Sequence, residues 1–201
     1  AYVYVTPSHQ CPTTVTMPLV RRQEILALAK KSDMVLFEDD HESELNFSGR
    51  PLPALKSLDT DGRVIYLGSL SKTLVRGLRI GYIVAPAELV RELRALRRLI
   101  IRHTPSNNAH TASLFIAQGH HDAFIRKLNL TYRERRELLT RALAKYLPQF
   151  HIMPSLGGSG AWIQGPDGLN AQTLADWCGE RRELSERWDI LLEGTSLASQ
   201  W

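Results

Sequence analysis

Cysteine is nearly absent from this 201-residue chain: Cys11 and Cys178 are its only two. Two thiols cannot build a disulfide framework or an all-cysteine zinc site, and they read as reduced cysteines of a cytoplasmic protein. Long apolar runs are missing as well. The longest, 34–37 and 80–85, are strand-sized, well short of the roughly 18 residues a membrane helix needs. The opening AYVYVTPS has no basic segment ahead of an apolar core, so it is not expected to be a signal peptide. The 13 glycines and 10 prolines follow no period, which excludes a collagen-like chain. With 43% hydrophobic and 23% charged residues, the composition is that of a folded globular protein and excludes disorder throughout.

Neither sign of charge dominates, yet the charge is unevenly spread. Residues 86–145 carry twelve Lys/Arg against five Asp/Glu, whereas residues 146–201 carry three against seven. The basic stretch interleaves arginines with periodic leucines. It therefore reads as the solvated or subunit-facing side of helices rather than as a nucleic-acid surface.

Strands and helices alternate in the first half. Residues 2–5 alternate as a strand and lead into the polar loop TPSHQCPTT. Thr16 is placed to cap a helix with Pro18 in its first turn, running to Lys31. Met34 to Phe37 forms a short buried strand that the acidic run EDDHESE breaks. Residues 63–67 form another, GSLSKTLVRG a loop, and 78–85 a further strand. This pattern predicts an α/β sheet, largely parallel. Leu89, Leu93, Leu96 and Ile100 then mark a helix, and a six-turn rhythm from Phe124 to Tyr146 marks a longer one. His120-His121 reads as a helix start at the surface. Short strands at 150–153, 161–164 and 189–192, with a helix over 171–178, describe a small α+β unit. The division expected is 1–105, half of a large domain; 106–147, connecting helices; and 148–201, part of a small domain. Because the chain opens inside a strand and ends just after one begins, it is expected to be a piece of a larger protein.

Three strand ends present reactive groups: Asp39, then Ser69-Leu70-Ser71-Lys72, then Arg79. Ligands of open α/β sheets bind outside the carboxyl ends of the strands. A lysine between apolar strands, flanked by hydroxyls and arginines, suits an anion site with a reactive amine. Ser69, Ser71 and Arg79 could hold a phosphate, Arg79 through its guanidinium fork. Ser69-x-x-Lys72 also fits the serine acyl-enzyme pattern, but the S-D-N and K-T-G segments which that chemistry needs are absent. The run from Glu38 to Glu44 could bind a divalent metal, but no second cluster of ligands accompanies it.

GSLSKTLVRGLRIGYIVAP resembles the Schiff-base lysine segment of fold-type-I pyridoxal-phosphate enzymes, the aspartate-aminotransferase superfamily. YVTPSHQCPT, LFEDDHESELNF and VIYLGSLSK are similar to the aminotransferase-like domain of MocR-type regulators of the GntR family, and to stand-alone aminotransferases of that subgroup. The resemblance covers about residues 1–165. It implies a three-layer transferase-like large domain, partly present, with a mostly parallel sheet, followed by a small α+β domain. It implies pyridoxal 5'-phosphate held as a Schiff base on Lys72. Asp39 would pair with the pyridinium nitrogen and keep it protonated; Ser69, Ser71 and Arg79 would hold the phosphate. His41 stands where most relatives have a tyrosine touching the cofactor's 3-oxygen, and imidazole can also donate there. Cys11-Pro12-Thr13-Thr14 stands where aminotransferases have N-P-T-G, so Thr14 replaces the turn glycine.

The family's ring-stacking aromatic, glycine-rich phosphate loop and carboxylate-binding arginine have no counterpart in the sequence, whose ending LLEGTSLASQW lacks the family's E-P-G-x-x-F turn. The resemblance thus implies an aminotransferase acting on an amino acid or amine, or a fragment of one, inactive by itself. It implies alternatively the effector domain of a regulator, reaching DNA only through a winged-helix domain outside this chain, or an inactive remnant. A homodimer is expected of the full-length form, and no membrane partner.

Overall fold

The computed structural model describes residues 1–176 apart from 48, 50, 75, 171 and 175, with Arg76 described by its backbone alone. The strand expected at 189–192 lies outside the described residues, and the helix expected over 171–178 falls only partly within them. Strands β1 (Tyr2–Val5), β2 (Val35–Asp40), β3 (Val64–Ser69) and β4 (Gly81–Val84) lie side by side in chain order. The first three are parallel, with Tyr4 opposite Phe37 and Asp39 opposite Leu67. β4 returns antiparallel to β3, pairing Gly81 with Ser69. The crossovers are α1 (Leu19–Lys31) between β1 and β2 and the single turn α2 (Leu55–Leu58) between β2 and β3. Ala29, Leu36, Leu55 and Val64 form the core, with Val3, Val5, Ile25, Leu26 and Met34 packed around it.

β2 does not stop at Phe37 but runs through the acidic residues. Alternation along a strand puts Leu36, Glu38 and Asp40 on one buried face. The carboxylates survive there because each has partners. Glu38 accepts the backbone N–H groups of Leu55 and Lys56, both at 2.8 Å, at the start of α2. Asp40 accepts the Tyr66 hydroxyl at 3.1 Å and the Ser43 N–H at 3.1 Å. Burial nevertheless pushes the Glu38 carboxyl above its ordinary value, opposed by those two N–H groups.

Thr16 does not cap α1; its hydroxyl donates instead to the Ser8 carbonyl at 2.8 Å. The helix begins after Pro18, whose carbonyl accepts the Arg22 N–H. The buried Arg22 guanidinium then donates to the carbonyls of Met17, Pro53 and Pro7 at 3.0, 2.9 and 2.9 Å. It binds the loop after β1 to the segment leading into α2. The strand expected over 78–85 is shortened to β4, and Arg79 lies before it in the left-handed region at φ 50°.

Helices α3 (Ala87–Ile101), α4 (Ser106–Ala117) and α5 (His120–Tyr146) follow. α3 buries none of its residues, and Leu96, Leu99, Ile100 and Ile101 are exposed. His120 begins α5 as expected, but His121 is buried rather than on the surface. Its ring nitrogens lie 3.7 Å from a Glu44 oxygen and 3.8 Å from an Asp122 oxygen. β5 (His151–Ile152) and β6 (Ile163–Gln164) pair antiparallel, shorter than the sequence pattern suggests. No described helix is long and apolar enough to cross a membrane.

Candidate functional site

The parallel strands β1, β2 and β3 deliver their carboxyl ends to one side of the sheet. There the loop 6–17, residues 39–47 and the Ser69–Lys72 turn meet. Arg79 reaches the same side because β4 runs the other way: Ser69 pairs with Gly81, and the Leu70 N–H donates to the Ile80 carbonyl at 3.0 Å. All six residues singled out in the sequence therefore sit at this end of the sheet.

They form smaller groups there. Asp39 and His41 line one open cleft of about 750 Å³, together with Tyr4, Thr6, Gln10, Cys11 and Thr13. His41 Nδ1 lies 3.8 Å from Asp39 Oδ1, and the Tyr4 hydroxyl donates to Asp39 Oδ2. Burial, then that hydrogen bond to Asp39, pushes the Tyr4 phenol up to about 12. Tyr4 thus remains a donor across the working pH range. Ser69 Oγ accepts the Ser71 N–H at 3.2 Å, which fixes the turn ahead of the lysine. The exposed Arg79 has no described side-chain partner.

Among the described residues, the ion pair of the Lys72 side chain is with none of the other five. Its Nζ lies 3.0 Å from Glu42 Oε1. Glu42 also accepts the Ser159 N–H at 2.9 Å and the Ser159 hydroxyl. Burial raises the Glu42 carboxyl, but the two Ser159 hydrogen bonds and the Lys72 ammonium outweigh it, and the net shift is downward. Behind this pair sits His9, whose buried imidazole titrates below its ordinary value because desolvation disfavours the cation.

Two residues of the site escape a reading of the sequence. Tyr4 carries only the alternation of an edge strand, and nothing local ties it to Asp39. Glu42 belongs to a run of acids that resembles a solvated loop. In both cases the signal is spatial, because Tyr4 lies in the strand next to Asp39 and the Glu42 carboxylate is buried against Ser159. Thr14, read as the replacement for a turn glycine, does occupy a left-handed conformation at φ 60°.

Chemically, the groups at this end of the sheet suit a ligand with three features. An amine is available for an aldehyde, a carboxylate for a basic ring nitrogen, and two hydroxyls with a guanidinium for a phosphate.

The family model for aminotransferase class I and II matches residues 3–188. The chain belongs to that family. This aminotransferase-family chain is 43% identical over 173 residues to the HTH-type transcriptional regulator TauR of Rhodobacter capsulatus, an alignment covering 86% of this chain and 36% of the regulator. It is 33% identical over 175 residues to aromatic-amino-acid aminotransferase 1 of Thermococcus litoralis, covering 87% and 42%. Among solved structures, it superposes on LysN, the α-aminoadipate aminotransferase of Thermus thermophilus, with a TM-score of 0.83 and 31% identity, covering 89% of this chain and 47% of LysN. LysN was crystallised with N-(5'-phosphopyridoxyl)-L-leucine. The aminotransferase-family chain is thus an α/β unit with the fold of the fold-type-I aminotransferases, covering part of their large domain. It spans less than half the length of these relatives.

Proposed function

We propose that the chain is the cofactor-lysine half of a pyridoxal-phosphate-dependent aminotransferase of class I/II, taking an amino acid or amine as substrate. The observation that carries this reading is the convergence of Lys72, Asp39 and the Ser69–Ser71–Arg79 group at one end of the sheet, beside an open cleft. Lys72 offers its amine to the cofactor aldehyde. Asp39, fixed by Tyr4, holds a proton on the ring nitrogen. His41 stands beside Asp39 to donate toward the 3-oxygen. Ser69, Ser71 and Arg79 donate hydrogen bonds to the phosphate, a charge-assisted arrangement that suits guanidinium. Bound there, pyridoxal phosphate would supply an electron sink for the carbon bearing the substrate's amino group. The Lys72 amine would serve as the base that carries that carbon's proton. We divide the chain into 1–105 of a large domain, 106–147 as connecting helices and 148–201 of a small domain, and assign the full-length form to a homodimer in the cytoplasm.

The similarity to TauR favours a second reading, an effector domain that senses an amino acid or amine and acts on DNA only through a further domain. Turnover separates the two: keto-acid formation from the full-length protein supports the enzyme.

The cofactor assignment is tested by incubating the chain with pyridoxal phosphate, reducing with borohydride and mapping the adduct by mass spectrometry. The expected adduct lies on Lys72 and is absent from Lys72→Ala. Trapping on another lysine overturns the assignment.

A further inference from the structure

The contact made by the Lys72 amine leads away from the cleft and into the C-terminal part of the chain. Glu42, its partner at 3.0 Å, has a side chain only 8% exposed. Ser159 grips the same carboxylate with its N–H and its hydroxyl. Ser159 belongs to the loop 155–160, which is laid against residues 45–47. Gly158 N–H donates to the Leu45 carbonyl at 2.8 Å, and Phe47 N–H donates to the Leu156 carbonyl at 2.7 Å. The approach is close enough that a Cβ on Gly157 would collide with the Leu45 carbonyl oxygen. The three groups Lys72, Glu42 and Ser159 therefore form one connected line from the reactive amine to a loop 117 positions beyond Glu42.

A buried carboxylate needs its positive partner more than an exposed one does, because unpaired charge is costly out of water. If the amine leaves Glu42, Ser159 is the hydrogen-bond partner left to the carboxylate among the described residues. The buried His9 ring beside it does not replace the lost charge, since burial favours its neutral form.

We propose that Glu42 is a positioning residue that parks the Lys72 amine and, through Ser159, transmits that amine's departure to the 155–160 loop. The loop is held in place while the lysine is docked on Glu42 and loosens when the amine is drawn toward the cleft. The proposal rests on the cofactor reading only for the event that displaces the amine. The link itself is independent of it and is tested without cofactor.

The experiment is amide hydrogen exchange on the chain and on Lys72→Met, Glu42→Gln and the double variant, read at Ser159 and its neighbours in 155–160. Each single variant is expected to exchange about three- to tenfold faster there. The double variant is expected to resemble Glu42→Gln, because the residues act through one another and their effects do not add. Unchanged exchange at β2 amides, Val35 to Phe37, shows that the fold is intact; where Glu42→Gln loses that protection, Ser159→Ala closes the same cycle. Native exchange at 155–160 in Lys72→Met, or additive effects in the double variant, overturns the proposal. Failure of borohydride trapping at Lys72 would bear on the cofactor reading and leave this result standing.

Discussion

Asn129 on α5 holds the backbone of Glu44 by a hydrogen bond from its Nδ2 to the Glu44 carbonyl, 2.8 Å long. The same side chain accepts the Asn46 N–H at 2.8 Å. One amide thus serves as the missing strand partner for the loop that carries His41 and Glu42. Asn129→Leu removes both bonds, each worth about 0.5–1.5 kcal/mol, so it is expected to cost roughly 1–3 kcal/mol. Asn129→Asp keeps the acceptor and loses the donor, and should fall between. Urea denaturation of the three proteins checks the order.

Thr14 holds a β-branched side chain in a left-handed conformation, a strained combination. Its hydroxyl is buried without a hydrogen-bond partner. Thr14→Gly relieves both, offset by loss of the buried threonine side chain's packing. The variant is expected to gain about 1 kcal/mol, seen as a rise of roughly 2–4 °C in the midpoint of thermal unfolding. A fall in that midpoint would show that the threonine's packing outweighs its strain.

Arg22 satisfies three backbone carbonyls with one buried guanidinium. Arg22→Met keeps much of the volume and orphans all three acceptors, for an expected loss of about 3 kcal/mol or more. Arg22→Lys is expected to recover little, since a single ammonium cannot reach the planar fork of partners. Chemical denaturation midpoints distinguish a fork requirement from a requirement for charge alone.

Acid is expected to destabilise the fold in two separate windows. His9 titrates below its usual 6.5 in the fold because it is buried, so the unfolded chain takes up the proton first. Stability is therefore full above pH 6.5 and falls as the pH drops below it. Glu42 is also depressed, from an ordinary 4.5, so its contribution is present above that pH and is lost below it. Asp40 and His41 face His9 and act on it in opposite directions, the first favouring and the second disfavouring its cation. Thermal unfolding from pH 8 to pH 3 should show both declines. His9→Gln should flatten the upper one and Glu42→Gln the lower. Slopes unchanged by either substitution would exclude these two residues as the cause.

Much of the placement of the candidate residues was legible because short-range patterns mark strand ends. Apolar runs ending in Asp39, Ser69 and Lys72 announce which side of a parallel sheet is chemical, and Arg79 follows from the turn before β4. What the sequence hid depends on distant partners. β2 reads as finished at Phe37 because Glu38 and Asp40 look solvated. Their acceptors are filled by the start of α2 and by Tyr66, positions 17 and 26 residues away. The hydrogen bonds to Glu42 come from Ser159, much further along, and the bond from Tyr4 to Asp39 needs the pairing of β1 with β2. The His121 ring is buried for a similar reason, since Glu44 comes to it from the strand-end loop rather than from its own helix.

The reversed direction of β4 has a further consequence. A parallel strand would need a crossover of a dozen or more residues and would carry its N-terminal flank, with Arg79, to the opposite end of the sheet. As a hairpin, residues 69–81 bring the serines, the lysine and the arginine to one end of the sheet within a single local stretch of chain. That stretch behaves as a cassette. A residue inserted between Lys72 and Arg79 changes the reach of the lysine and leaves the rung from Ser69 to Gly81 where it is. A slip of one residue in β4 would instead turn Tyr82 and Val84 to the other face, away from Tyr66 and Gly68.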